Sequence, residues 1–200
     1  GQDYSDFELW ISDNASSDGT EDICRSFARA DSRIRYFRQH SNLGAAANYN
    51  FVFTRSSGKY FKWAAHDDRI RPTFLRRGVE TYESFESRDV YPSIVYSKSV
   101  FIDETGIVTK PDPMDMHTTA RHPITRGLHA LNRLSMGTPV FGLMPRAMLE
   151  KTRLIGSFVG SDYVLIYEAA LLGPIIQMSD ELFERRIHGG MSRLANTSKR

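Results

Sequence analysis

The chain has 200 residues, long enough for one domain with a sizeable core. Apolar residues make up 40% and charged residues 25%, the balance of an ordinary soluble globular protein. The formal charge is only +2, which removes any global electrostatic case for nucleic acid as a partner. Basic residues gather only near the end, in "ERRIHGG" and "SKR". The single cysteine, Cys24, excludes an internal disulfide and any zinc-type cysteine spacing. It favours a reducing, cytoplasmic setting. No apolar run approaches the ~20 residues needed to span a membrane, and no signal peptide is visible.

The chain opens with "GQDYSDFELW", which reads as a loop feeding a strand already in mid-fold. The expectation is that further sequence precedes Gly1. "FELWIS" (7–12) is a short, mostly apolar strand, of the kind covered on both faces. "DNASSDGT" is dense in turn formers. "EDICRSFARA" places Ile23, Phe27 and Ala30 at helical spacing. Asp18 and Thr20 are placed to cap that helix. "RIRYFR" (33–38) alternates as a strand does, and "AAANYNFVFTRS" reads as a helix capped by Ser41 or Asn42. "KYFKWAA" reads as a strand that runs into His66, Asp67 and Asp68. Pro72 suits the first turn of a helix reaching about Ser87. "SIVYSKSVFID" is β-rich and "DETG" offers a turn.

The second half is less regular. "KPDPMDMHTTARHP" (110–123) carries three prolines and reads as a long loop of the lid or binding type. "ITRGLHALNRL" reads as a helix and "GTPVFGLMP" as a strand. "SDYVLIYEAALLG" reads as a helix capped by Ser161 and ended by Gly173, and "PIIQMS" as a strand. Strands and helices alternate with short connections. This predicts an α/β fold with a mostly parallel central sheet flanked by helices. Such sheets bind ligands beyond the carboxyl ends of their strands. "DNASSDGT" and "HDD" both sit at strand exits, so both are placed to line one crevice. Two adjacent carboxylates repel; solvent, a metal ion or a ligand makes the pair tolerable. Taken alone, "HDD" fits a solvated turn, or Asp68 capping the next helix, as well as a site.

Five segments in this order resemble a bacterial-like, family-two, GT-A type inverting glycosyltransferase. They are "FELWISDNASSDGTEDI", "NLGAAANYN", "KYFKWAAHDDRIRPTFL", "GSDYVLIYEAALLG" and the closing "FERRIH". Each is weak alone; together, from about Phe7 to Ser192, they are specific. The family's usual opening strand and first helix are absent. The turn reads Asp13-Asn14 where many relatives have two aspartates, and Ala65 stands where a common version has another. The resemblance implies a GT-A fold and one glycosyltransferase domain over 1–200, incomplete at its N-terminus. Its nucleotide-binding half would be 1–110 and its acceptor-binding half 111–200.

The resemblance also implies the chemistry. A sugar passes with inversion from a nucleotide-diphospho sugar, of the uridine type, to an acceptor hydroxyl on a saccharide or lipid-linked acceptor. Mn²⁺ or Mg²⁺ neutralises the leaving diphosphate. Asp68 and His188 would hold the metal. Asp13, Asn14, Asn42, Gly44 and Asp67 would contact the nucleotide, and Asp162 would be the general base. The alternative for Asp162, on the first turn of a helix, is an ordinary dipole-favoured aspartate. Arg185 and Arg186 are candidates for the diphosphate, and Met136, Gly137 and Thr138 for the acceptor border. Trp63 belongs to the core on this reading. The implied location is cytoplasmic, compatible with the inner face of a membrane. The alternatives are a non-catalytic sugar-nucleotide-binding domain and, further off, a nucleotidyltransferase.

Overall fold

A computed structural model describes residues 1–133 and 135–189. The basic "SKR" end and the resemblance's limit at Ser192 lie outside the described residues. Elements alternate through the first half: β1 (Leu9–Asp13), α1 (Thr20–Ala30), β2 (Ile34–Arg38), α2 (Ala45–Arg55), β3 (Tyr60–Phe61), β4 (Arg69–Ile70) and α3 (Phe74–Glu86). The second half holds β5 (Ile94–Ile102), β6 (Val108–Pro111), α4 (Pro123–Asn132), β7 (Met144–Pro145), α5 (Arg146–Leu149), α6 (Ser161–Leu172) and β8 (Ile175–Arg186).

The sheet is mixed rather than mostly parallel. β1 and β2 pair in parallel, from Leu9 opposite Ile34 to Asp13 opposite Arg38. β3 pairs antiparallel with β7. The largest sheet runs β4-β8-β5-β6, with only the β5–β8 pair parallel. A bridge between Val95 and Leu143 joins β7 to this sheet. The sequence pattern shows where strands lie but not which edges meet, so two antiparallel neighbours of β5 and β8 escaped it. β8 is twice the length that "PIIQMS" suggested, because the ladder with β5 continues to Arg186 after register shifts around Lys98.

The core lies around β5 and β8. One cluster joins Trp63, Ile94, Tyr96, Met116, Leu165 and Ile175, and another joins Phe74, Tyr82, Val95 and Ile176. Trp63 is 1% exposed and donates its indole N–H to the Tyr49 carbonyl, as a buried tryptophan requires. By contrast, α1 buries no residue, and Ile23 and Phe27 are 59% and 58% exposed. The apolar spacing of α1 correctly signalled a helix, but its stripe meets no covering layer among the described residues.

Several boundaries differ from the sequence reading, each for a local reason. The strand at Tyr60 stops at Phe61, since its partner β7 is two residues long. Helix α3 starts at Phe74, after Pro72, whose carbonyl accepts the Asp3 N–H. Helix α2 follows Gly44, at φ +80, and no side chain caps it; the Asn42 carboxamide instead accepts the Gly44 N–H. Helix α6 follows Gly160, at φ +84, with Ser161 inside the helix and not capping it. "GTPVFGLMP" forms a 3-10 turn at 138–141 before the short β7, because Gly137 is left-handed (φ +67) and Pro139 sits at the turn's start. A β-carbon on Gly142 would lie 2.7 Å from Ile94 Cγ2 and 2.8 Å from the Val95 carbonyl. Only glycine lets this turn lie so close against β5.

The proline-rich segment after β6 is not a free lid. It runs as an extended strap, with Asp112, Met114, Met116 and Thr118 buried and Pro113, Asp115 and His117 exposed between them. Thr118 bridges to Ile175 at the start of β8.

Candidate functional site

The acidic pair is placed by β4. Arg69 and Ile70 pair antiparallel with Glu184 and Phe183 at the end of β8. Asp67 and Asp68, immediately before them, therefore face Arg185 and Arg186. The Arg186 backbone N–H donates to Asp68 Oδ1 at 2.9 Å. The Arg186 side chain donates from Nε to the Asp67 carbonyl at 3.0 Å, and from Nη1 to the Asp103 and Glu104 carbonyls at 2.6 and 2.8 Å. Arg186 is thus a brace between the acidic pair and the β5–β6 turn. Asp68 does not cap a helix.

The two carboxylates differ in environment. His188 Nε2 lies 2.8 Å from Asp67 Oδ2. Burial raises the Asp67 pKa, but the His188 hydrogen bond and nearby positive charge outweigh it, and the net shift is downward. Asp68 is shifted upward. Burial is the main cause, and the charge of Asp67 adds to it against the Arg186 N–H, Arg185 and Lys62. Asp68 is therefore a partly buried carboxylate whose neighbours offset only part of its desolvation, a setting that favours a cation beside it.

Two residues near the pair went unnoticed in the sequence. Lys62 holds its ammonium among Phe74, Phe183 and Phe141, 5.1, 5.4 and 6.0 Å from the ring centroids. It donates to the Trp63 carbonyl at 2.9 Å. Burial lowers its pKa to about 7, against the pull of Asp68. The alternation in "KYFKWAA" was the available signal, since it turns Lys62 away from Phe61 and Trp63. Tyr49 of α2 has its phenol pKa raised by burial and by the charges of Asp67 and Asp68. His66 is exposed.

The exit of β1 is knit to the loop before α2. Asn14 Nδ2 donates to Asn42 Oδ1 at 2.8 Å, and Asn14 Oδ1 accepts the Leu43 N–H at 2.8 Å. Asn14, Asn42 and Gly44 thus come together, as one candidate surface requires. Ala15 between the strand and helix is left-handed, at φ +64, a strained position for a residue with a β-carbon. Asp13 is 4% exposed and accepts from the Tyr36 hydroxyl at 2.6 Å and the Ser16 N–H at 2.8 Å. Its Oδ1 serves the turn and its Oδ2 ties β1 to β2. Asp18 accepts the Thr20 N–H.

Asp162 lies in the first turn of α6, where the helix dipole favours a carboxylate. Its Oδ2 would be 2.6 Å from a β-carbon placed on Gly137, so the bare glycine makes its seat. Arg185 ties this region to the acidic pair. Its Nη1 donates to the Met136 carbonyl at 2.6 Å and to Thr138 Oγ1 at 3.2 Å, while its charge reaches Asp68. Both arginines are committed to braces and contribute to a phosphate only through what remains of their donor forks.

A divalent cation fits this donor set in part. Asp68 and Asp67 offer hard oxygen ligands, the type Mg²⁺ and Mn²⁺ take. His188 sits on Asp67 and not beside Asp68 alone. Among the described residues no group of three His, Cys, Asp or Glu converges to hold a metal. A cation here would draw the rest of its shell from water and substrate oxygens, as Mg²⁺ commonly does. No helix among the described residues is long and apolar enough to cross a membrane.

Comparison with known proteins bears on the family and the fold. An uncharacterised glycosyltransferase of Rickettsia prowazekii is 28% identical over 199 residues, covering 96% of this chain and 58% of that protein. The crystal structure of Staphylococcus aureus TarS 1-349 in complex with UDP-GlcNAc superposes with a TM-score of 0.70 at 18% identity, over 95% of this chain and 53% of that one. A mannosyltransferase from Pyrobaculum calidifontis, in complex with GDP-Man and Mn²⁺, gives a TM-score of 0.56 at 17% identity over 92% of this chain and 49% of that one. The fold is thus of the GT-A type, and the chain spans roughly half the length of these three proteins. The family profile described as Glycosyl transferase family 2 matches residues 1–152, and the chain belongs to that family.

Proposed function

We propose that this chain is the core of an inverting glycosyltransferase. It moves a sugar from a nucleotide-diphospho sugar, of the uridine type, to an acceptor hydroxyl with the help of Mn²⁺ or Mg²⁺. The observation that carries the reading is that the end of β8 serves both carboxylate sites: Arg186 donates its N–H to Asp68, and Arg185 donates to the Met136 carbonyl and Thr138 hydroxyl that flank Gly137, against which Asp162 sits. The complexes of the two solved relatives with UDP-GlcNAc and with GDP-Man and Mn²⁺ support the donor class and the metal.

Asp68 would hold the cation, with Asp67 and His188 orienting its shell or the ribose. The cation supplies neutralisation of charge on the departing diphosphate. Asn14, Asn42 and Gly44 would shape the nucleotide side. Asp13 would act through the turn it builds. Asp162 would take the proton of the acceptor hydroxyl from the face opposite the leaving group. Residues 1–110 carry the donor side and 111–200 the acceptor side on this reading. The acceptor is a saccharide or a lipid-linked saccharide, and the place of action is the cytoplasm, at the inner face of the membrane for a lipid-linked acceptor.

Calorimetric titration of UDP in the presence of Mn²⁺ and then of EDTA tests the donor site. Binding that EDTA abolishes is expected. Absence of binding here, and again in a chain extended upstream of Gly1, would refute it. Substituting Asp162→Asn is expected to stop transfer while sparing UDP binding; surviving transfer removes Asp162 as the base.

A further inference from the structure

The strap after β6 carries a buried carboxylate that this chemistry does not use. Asp112 is 9% exposed. Its Oδ2 accepts from Ser99 Oγ at 2.8 Å and from Thr138 Oγ1 at 3.0 Å, and its Oδ1 accepts the Met114 N–H at 3.1 Å. Thr138 is 2% exposed and is the same residue that accepts from Arg185. The loop before it is held a second time, by the Tyr163 hydroxyl donating to the Ser135 carbonyl. Gly137, between these ties, forms the seat of Asp162.

The direction of the hydrogen bonds gives Asp112 its role. An ionised carboxylate only accepts, so the hydroxyls of Ser99 and Thr138 must both donate to it. That spends the Thr138 proton and turns its lone pairs to Arg185, which only donates. The chain Arg185 to Thr138 to Asp112 has one consistent polarity, and each bond in it strengthens the next. Both hydroxyls meet the same oxygen, so an amide at position 112 would turn its NH2 either to both of them or to the Met114 N–H, and disrupt that order either way. A residue of no polarity would leave two buried hydroxyls unmatched.

We infer that Asp112 is a positioning residue: through Thr138 it fixes Gly137 against Asp162 and holds Arg185 in the bridge to the acidic pair. The inference rests on the proposed role of Asp162. The expected consequence is loss of turnover without loss of donor binding, because the carboxylate oxygens of Asp112 are taken up by Ser99, Thr138 and Met114. Misplacing a reacting group by about 1 Å costs on the order of 100-fold.

The test uses Thr138→Val, Asp112→Asn and the conservative Thr138→Ser in the full-length protein, with amide exchange, the Asp162 carboxyl ¹³C shift and transfer kinetics as readouts. Thr138→Val and Asp112→Asn are expected to speed exchange over residues 136–142 and move the Asp162 carbon shift. Both are expected to lower kcat by about 10- to 100-fold with UDP affinity kept, and Thr138→Ser is expected to restore all three readouts. Unchanged exchange and carbon shift in both variants would overturn the inference. So would faster exchange with a stationary Asp162 signal, which would make Asp112 merely structural. If the unmodified protein transfers no sugar, the fault lies with the function assigned, and the exchange and carbon-shift readouts still decide the role of Asp112.

Discussion

At the scale of single residues, two partly buried charges near the site are opposite in sign and unequal in comfort. Asp68 is only partly compensated, by the Arg186 N–H and the charges of Arg185 and Lys62, and Lys62 sits in a cage of three rings with one hydrogen bond. Cation–π contact repays part of a lysine's desolvation, not all of it. Folding lowers the Lys62 pKa from 10.5 to about 7. Between those values the unfolded chain binds more protons than the folded one, so Lys62 makes stability rise with pH across this window. The penalty is fully present below about pH 7 and gone above 10.5. Urea unfolding of the wild type and of Lys62→Met, measured from pH 6 to 10, should show the two stabilities converging as pH rises, with the variant more stable at the acid end. A parallel pair of curves would show that Lys62 is charged and comfortable throughout. Asp68→Asn should separately weaken Mn²⁺-dependent UDP binding by tenfold or more, of the order expected for losing a charged metal ligand.

At the scale of elements, the tight turns are where small changes cost most. Gly137 combines φ +67 with a seat for Asp162. Gly137→Ala should lower kcat more than it lowers the melting temperature, because a methyl group at 2.6 Å from the carboxylate must push it aside. Gly142→Ala meets the backbone of β5 instead and should cost stability, about 1–3 kcal/mol by overpacking, with UDP affinity retained. Tyr82 is 1% exposed and donates to the Leu143 carbonyl at 2.7 Å. Tyr82→Phe should cost about 0.5–1.5 kcal/mol in urea unfolding, the net worth of one hydrogen bond, because the Leu143 carbonyl keeps the Val95 N–H. On α1 the expectation reverses: exposed Ile23 and Phe27 should tolerate Ile23→Lys and Phe27→Lys within about 0.5 kcal/mol.

At the scale of the whole molecule, packing is uneven. β1, β2 and α1 bury no apolar side chain, whereas β5 and β8 run through both core clusters. Regions with few buried contacts open at lower free energy than the core. Amide exchange should therefore be faster over 9–38 than over 94–102 and 175–186, and metal with UDP should slow it preferentially over 9–55 and around 67. Uniform exchange would mean that the first layer is as firmly bound as the core.

The sequence by itself determined the family and the alternation of strands and helices in the first half, and it marked Asp13-Asn14, Asp67-Asp68 and Asp162 as candidates. These are local signals: periodicity, turn chemistry and short motifs survive in one dimension. It did not determine that β4 would set the acidic pair opposite Arg186, because two-residue strands have no period to detect. Nor did it show that Asp112, Thr138 and Arg185 would meet, since their positions are far apart in the chain and each looks like an ordinary polar residue. The stripe on α1 had the spacing of a buried face and is exposed, because amphipathicity records a preference that only a neighbouring layer can satisfy. Which of the paired carboxylates is raised in pKa and which lowered is a matter of burial and of who donates to whom. Those are properties of tertiary placement, and only the folded structure decided them.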